Sequence, residues 1–334
     1  MILRSATIAS TLFFLSWSSA LGQTPSSSTV KLQERCTRPI GRVINNEDSR
    51  LPAGSLLCEK DRLQPRAKAQ VEVLCYLNRK VLLLGKGSVS EQCLPLREQE
   101  QSLQCTRHNR ARCPKRKGPT ETHNSPVLIA PYSSIVLDTR PDLVWSLIAG
   151  ITSYKVQVSG VGVDWSEIVV GNNQLTYPPH QPPLKFGNAY KITIIANEGD
   201  SPVVASLATI NVLNAERAES VKQLVQRVNS LNLSPDERAY LDLDNLYMSY
   251  GLLTQSIEVL KARVEAGSKL PEIHISLGDR YLEAGLPHLA KPLYENAIQL
   301  AQKVDNSTQV EKAKAGLRKI ALYSQLPTKI KLDQ

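Results

Sequence analysis

The sequence predicts a multi-domain chain: an all-β N-terminal half, made of a disulfide-containing β-domain and a β-sandwich, followed by an all-α helical array. Three observations carry this expectation. All six cysteines fall in one block, Cys36, Cys58, Cys75, Cys93, Cys105 and Cys113. The middle of the chain is a series of short β-rich runs separated by Pro and Gly turns, the pattern of a sandwich. Beyond residue 214 the apolar residues recur at helical spacing, and on top of it lies a longer period of 34 residues.

The first residues set the compartment. Arg4 is followed by an apolar stretch from Ile8 to Trp17 and then by small residues at Ser18, Ser19, Ala20 and Gly22. This order predicts a secretory signal peptide over residues 1–22, cleaved near Ala20 or Gly22. Its apolar core is short for a bilayer span, and no later segment is long and apolar enough to cross one. The mature chain is therefore expected in the periplasm, the cell envelope or outside the cell. An even cysteine count confined to one module of an exported chain reads as a disulfide framework, with connectivity left open. Zinc is the rival, but the tightest pair, Cys105 and Cys113 with His108 between them, lacks the usual close spacing.

Composition divides the mature chain into a Cys-containing β-domain at 31–113, a basic and polar linker at 114–125, a sandwich at 126–213 and the helical array at 214–325. Charge is uneven. From Lys31 to Asn124 there are 19 Lys and Arg against 10 Asp and Glu; from Ser125 to Gln334 there are 20 against 21. The densest basic run is Arg107, Arg110, Arg112, Lys115, Arg116 and Lys117. Such a run suits an anionic cell-surface polymer, or is simply a solvated linker. No aromatics interleave with it, so stacking on nucleic-acid bases is not expected.

In the first module, strands are expected over Gly41–Ile44, Ser55–Cys58, Ala69–Leu77 and Lys80–Leu84. Gln70 to Tyr76 alternates polar and apolar residues, as a half-buried strand does. Leu77-Asn-Arg-Lys80 reads as a hairpin turn. The segment Leu51-Pro-Ala-Gly-Ser-Leu56 followed by Asp61-Arg-Leu63 resembles FecR-like periplasmic β-domains over roughly fifty residues.

In the second module, Leu143-Val-Trp145, Tyr154-Lys-Val-Gln-Val158 and Leu184, Gly187 and Tyr190 resemble the second strand, third strand and tyrosine corner of a fibronectin type III domain. Phe186 stands where that family usually has Pro. Trp145, Tyr154, Trp165 and Tyr190 are expected in the core, with a carbohydrate-binding platform as the sharper alternative.

In the third module, Leu243, Tyr247, Gly251, Ser256 and Leu260 recur 34 residues on as Leu277, Tyr281, Gly285, Ala290 and Tyr294. Gly278 and Ala297 add small residues to the second copy. This period resembles the tetratricopeptide repeat. Ser234-Pro-Asp-Glu237 marks a capped helix start, and Pro271-Glu272 a second. Amphipathic helices over Ala215–Val228 and Thr308–Tyr323 flank the pair and are expected to cap the stack. The resemblance implies a concave groove bearing Arg238, Leu241, Asn245, Glu272, Ile275, Asp279 and Glu283. Leu241 and Ile275 are expected to face water there. They replace the Lys of a carboxylate clamp, so a basic or amphipathic protein segment suits the groove better than a C-terminal carboxylate.

The five histidines, His108, His123, His180, His274 and His288, form no metal-type pair, and no nucleophile elbow, phosphate loop or dinucleotide fingerprint is present. No catalytic residue, metal or cofactor is nominated. The order of modules resembles exported cyanobacterial-type proteins. A non-catalytic interaction scaffold is therefore expected, with polymer binding through the basic module or an unrecognised enzyme site as alternatives.

Overall fold

Arg42 lies in a strand whose five central residues, Ile40 to Ile44, are all buried. β1 (Pro39–Asn45) is the second strand of a four-stranded antiparallel sheet ordered β2-β1-β4-β5, with β2 Leu56–Cys58, β4 Val71–Cys75 and β5 Lys80–Leu84. The structure, a computed structural model, describes residues 36, 39–45, 51–66, 70–94 and 125–324. The chain divides into two units, Met1–Thr37 and Arg38–Gln334. Of the first only Cys36 is described, and it is disulfide-bonded.

One face of the four-stranded sheet builds a small core from Ile40, Val43, Leu57, Val71, Val73, Cys75 and Leu84. The short pair β3 (Arg62–Leu63) and β6 (Gly87–Ser88) and the turn α1 (Val89–Gln92) close it. A disulfide joins Cys75 at the end of β4 to Cys93 just after α1, and Cys58 is disulfide-bonded as well. Cys105 and Cys113 lie outside the described residues. On the other face Ile44, Leu74 and Tyr76 pack against helices. This is why β1 is buried on both sides: the face that alternation marks as polar is an interface, not a solvated surface.

The middle module has two sheets. One, ordered β11-β10-β13-β14-β8, holds Val163–Val170, Ser153–Gly160, Ala189–Glu198, Ser201–Val212 and Ile135–Val136. The other, β12-β9-β7, holds Gln174–Leu175, Leu143–Trp145 and Leu128–Ala130. Their inward residues alternate along each strand, for instance Tyr154, Val156 and Val158 on β10, and meet Trp145, Trp165 and Tyr190 in one core. Trp145 meets Tyr154 edge-on, with ring centroids 5.4 Å apart. The Tyr190 hydroxyl accepts from the Lys185 amide at 2.7 Å and donates to the Val161 carbonyl at 3.2 Å. These aromatics are core, as expected, and none of the four forms an exposed platform.

Helices occupy the rest: α2 (Ala215–Ser230), α3 (Pro235–Glu237), a π segment (Arg238–Leu243) running on into α4 (Asp244–Ser249), α5 (Leu253–Glu265), α6 (Pro271–Glu283), α7 (Pro287–Gln302) and α8 (Ser307–Ser324). Asn214 caps α2 and Ser234 caps α3, each accepting the amide three residues on. The glycines explain how the last helices approach. A Cβ at Gly278 on α6 would stand 2.9 Å from the Tyr294 ring of α7, and one at Gly316 on α8 only 2.4 Å. Tyr294 is thus gripped from both sides, and its hydroxyl donates to Asp279 at 2.7 Å. Among the described residues no helix is long and apolar enough to cross a membrane.

Candidate partner-binding groove

The described helices bring the expected groove residues onto neighbouring segments, but they serve different ends. Arg238 spends its guanidinium on the carbonyls of Leu231 and Leu233, at 3.4 and 3.1 Å, and so closes the loop before it. Leu241 is half-buried, and Asn245 donates back to its carbonyl at 2.8 Å. Glu272 accepts from Gln309 of α8 at 2.7 Å. Ile275 is only 8% exposed and belongs to the array's core, contrary to the expectation that it faces water. The reason is its helix: α6 is packed against α5, α7 and α8, which leaves it little free surface. Asp279 and Glu283 remain, with side chains 40% and 43% exposed. The basic run Arg107, Arg110, Arg112, Lys115, Arg116 and Lys117 lies outside the described residues.

Behind the two acids runs a buried ladder of charge. Asp244 accepts from Arg280 through both oxygens, at 2.7 and 3.0 Å, and from the Ser256 hydroxyl. Arg280 also reaches Glu283 at 2.6 Å. Burial opposes the Arg280 charge, but Asp244 and Glu283 together hold its pKa above the ordinary value. Asp244 and Ser256 stand 34 residues before Gly278 and Ala290. The first copy therefore fills with a hydrogen-bonded polar pair the space that the second fills by close approach.

Sequence reasoning missed a second constellation, where the β-domain meets the array. Arg42, 2% exposed, donates to Asp242 at 2.7 Å, to Glu237 at 2.5 Å and to the Gly54 carbonyl at 2.8 Å. The Tyr76 hydroxyl donates to Asp242 at 2.7 Å. The Glu237 amide bonds the Ser234 cap, while its carboxylate turns to Arg42. Arg227 of α2 pairs with Glu72 of β4. Around these polar contacts Ile44, Leu74 and Val81 pack on Leu224, Val228, Leu243 and Leu246. Burial pushes the Asp242 carboxyl up from its usual range, against the pull of Arg42 and Tyr76. One signal was legible: Arg42 sits in an otherwise apolar strand, where an unpaired charge is costly.

On its other side the array meets the sandwich. The Tyr132 amide donates to Thr254 at 2.9 Å, the Ser133 hydroxyl to the Gly251 carbonyl at 3.3 Å, and Tyr132 meets Tyr281 edge-on at 6.1 Å. His274 is 2% exposed, held between the Ser268 carbonyl and Asn296. Among the described residues no group of three His, Cys, Asp or Glu side chains is placed to hold a metal. No family model matches the chain, and no curated protein matches it.

Proposed function

We propose that the chain is a non-catalytic, exported scaffold that binds a protein partner along the concave side of its helical array. The observation that carries this is the pair Asp279 and Glu283, part-exposed on α6, where they also meet Tyr294, Lys319 and Arg280. Arg79 of the turn after β4 feels the charge of these acids, and also that of Arg280, which repels it. The 34-residue period and the glycines gripping Tyr294 support a tetratricopeptide reading of the array. The strand order and the Tyr190 hydroxyl bonds support a fibronectin type III-like reading of the sandwich. The FecR-like reading of the first module rests on its sequence. The apolar leader and the oxidised cysteines support export.

Site-specific photo-crosslinking tests the proposal. A crosslinker is placed at Glu283, and in a control at Lys291, a 61% exposed residue of α7. In an envelope fraction the Glu283 probe should capture a discrete protein that the Lys291 probe does not. Equal capture from both, or none from Glu283, contradicts a concave binding face.

A further inference from the structure

β11 is an edge of the larger sandwich sheet, and it lacks the devices that usually close such edges. Its eight residues, Val163–Val170, pair with β10 without a bulge, from Gly160↔Val163 to Ser153↔Val170. Among the described residues no strand follows on its other side, and no backbone hydrogen bond reaches it from anywhere but β10. Every second amide and carbonyl therefore points outward without a partner, the template that another strand completes. Proteins blunt such rows with Lys, Pro, a bulge or an inward charge. β11 has neither Lys nor Pro. Its inward acid, Glu167, is drawn aside: it accepts from Gln181 at 3.4 Å and lies 3.1 Å from the His180 ring. Its outward face ends in two large apolar side chains, Ile168 and Val170, 68% and 75% exposed. The other sandwich edges are guarded. β7, β8 and β12 have two or three residues each. The long β14 has Pro202 near its start, meets β8 at its end, and donates from the Ser206 hydroxyl to the Pro126 carbonyl.

We propose that β11 pairs with β11 of a second copy of the chain, antiparallel about a two-fold axis, so that two five-stranded sheets become one. The unpaired backbone row calls for a strand, and the charges on β11 select both the strand and its register. Opposed residues of an antiparallel pair share a face, so the outward Ile168 can meet only outward residues of the copy. An axis through Glu167 sets two carboxylates against each other, which is destabilising. An axis through Ile168 sets Ile168 against its own copy, Val170 against Ser166 and Glu167 against Val169. Each acid within the ladder then faces a neutral residue, and the side chains most exposed in the monomer are the ones covered. Lys155, the partner of Ile168 on β10, lies outside the new pair, and the two copies of it stand about 14 Å apart, three strand spacings. A ladder this short buries less than the roughly 800 Å² per partner of a standard interface, so the dimer forms with rising concentration and is not obligate. The pairing does not depend on the groove; where both hold, each dimer presents two helical arrays.

Sedimentation velocity of the full mature chain at rising concentration tests this. The wild type should pass from monomer to dimer. Ile168→Lys with Val170→Lys places like charges on the edge and should stay monomeric, with the melting temperature unaltered because both side chains are exposed. Leu207→Lys, at a 61% exposed position of β14 in the same sheet, should dimerise as the wild type does. A second readout fixes the register. Ile168→Cys, oxidised with the native disulfides intact, should give a covalent dimer, since the axis brings its two copies within the roughly 4.4–6.8 Å between Cα atoms that a disulfide spans. Leu207→Cys should not. A wild type that stays monomeric, a dimer that survives the two lysines, or one that Leu207→Lys breaks equally overturns the proposal. Should the lysine variant unfold, the cysteines decide: a covalent dimer through Cys at 168 alone supports the pairing, and none, or equal yield from 207, overturns it.

Discussion

Asp242 is fully buried and carries a carboxylate against Arg42 and Tyr76, so its ionisation is a balance. Burial, the largest influence, raises its pKa above the ordinary 3.8. The folded state then holds a proton on Asp242 more tightly than the unfolded state does. Ionised Asp242 therefore lowers stability above its folded pKa, and this cost is relieved as the pH falls through that value toward 3.8. Mild acid is expected to firm this joint. In urea unfolding at decreasing pH, the wild type should gain stability relative to Asp242→Asn across that window. A relative loss would mean that the ion pair with Arg42, not burial, governs the carboxyl. None of this was legible from spacing. Asp242 falls between Leu241 and Leu243 on a helix whose π segment changes which side chains face which way, and Arg42 sits 200 residues away in sequence.

At the scale of elements, the helices were the most legible part of the chain. Their apolar periodicity, the Ser234 cap and the small residues at repeat spacing all placed segments close to where they form, because each signal is local. The close packing of Gly316 on Tyr294 was hidden, since it needs the partner helix to be known. Gly316→Ala should destabilise by about 2 kcal/mol, as overpacking does. Combining it with Tyr294→Leu, which copies Leu260 of the first copy, should recover part of that loss in thermal unfolding. If Gly316→Ala leaves the melting temperature unchanged, α8 does not approach α7 as described. β4 is the instructive failure. Its alternation was read as one buried and one solvated face, yet Glu72, Leu74 and Tyr76 all point at helices. Leu74 and Tyr76, large apolar side chains on the supposedly wet face, were the warning. In the groove, Asp279 and Glu283 are part-exposed on α6, whereas Ile275 is buried; repeat position alone does not say which neighbours cover it.

The molecule as a whole depends on the joints between its modules. The array is flanked by the sandwich, through Tyr132 and Ile135, and by the β-domain, through Arg42 and its apolar surround. Composition marks modules because each changes local patterning. It does not mark joints, which are built from residues distant in sequence. The docking of the β-domain on the array holds together residues far apart in sequence. A double-mutant cycle between Arg42→Ala and Asp242→Ala, read by urea unfolding, measures that docking most directly. Buried, hydrogen-bonded charges in contact should couple by about 1.5 kcal/mol or more. A coupling within about 0.5 kcal/mol of zero, as for residues that do not touch, would contradict the docked arrangement.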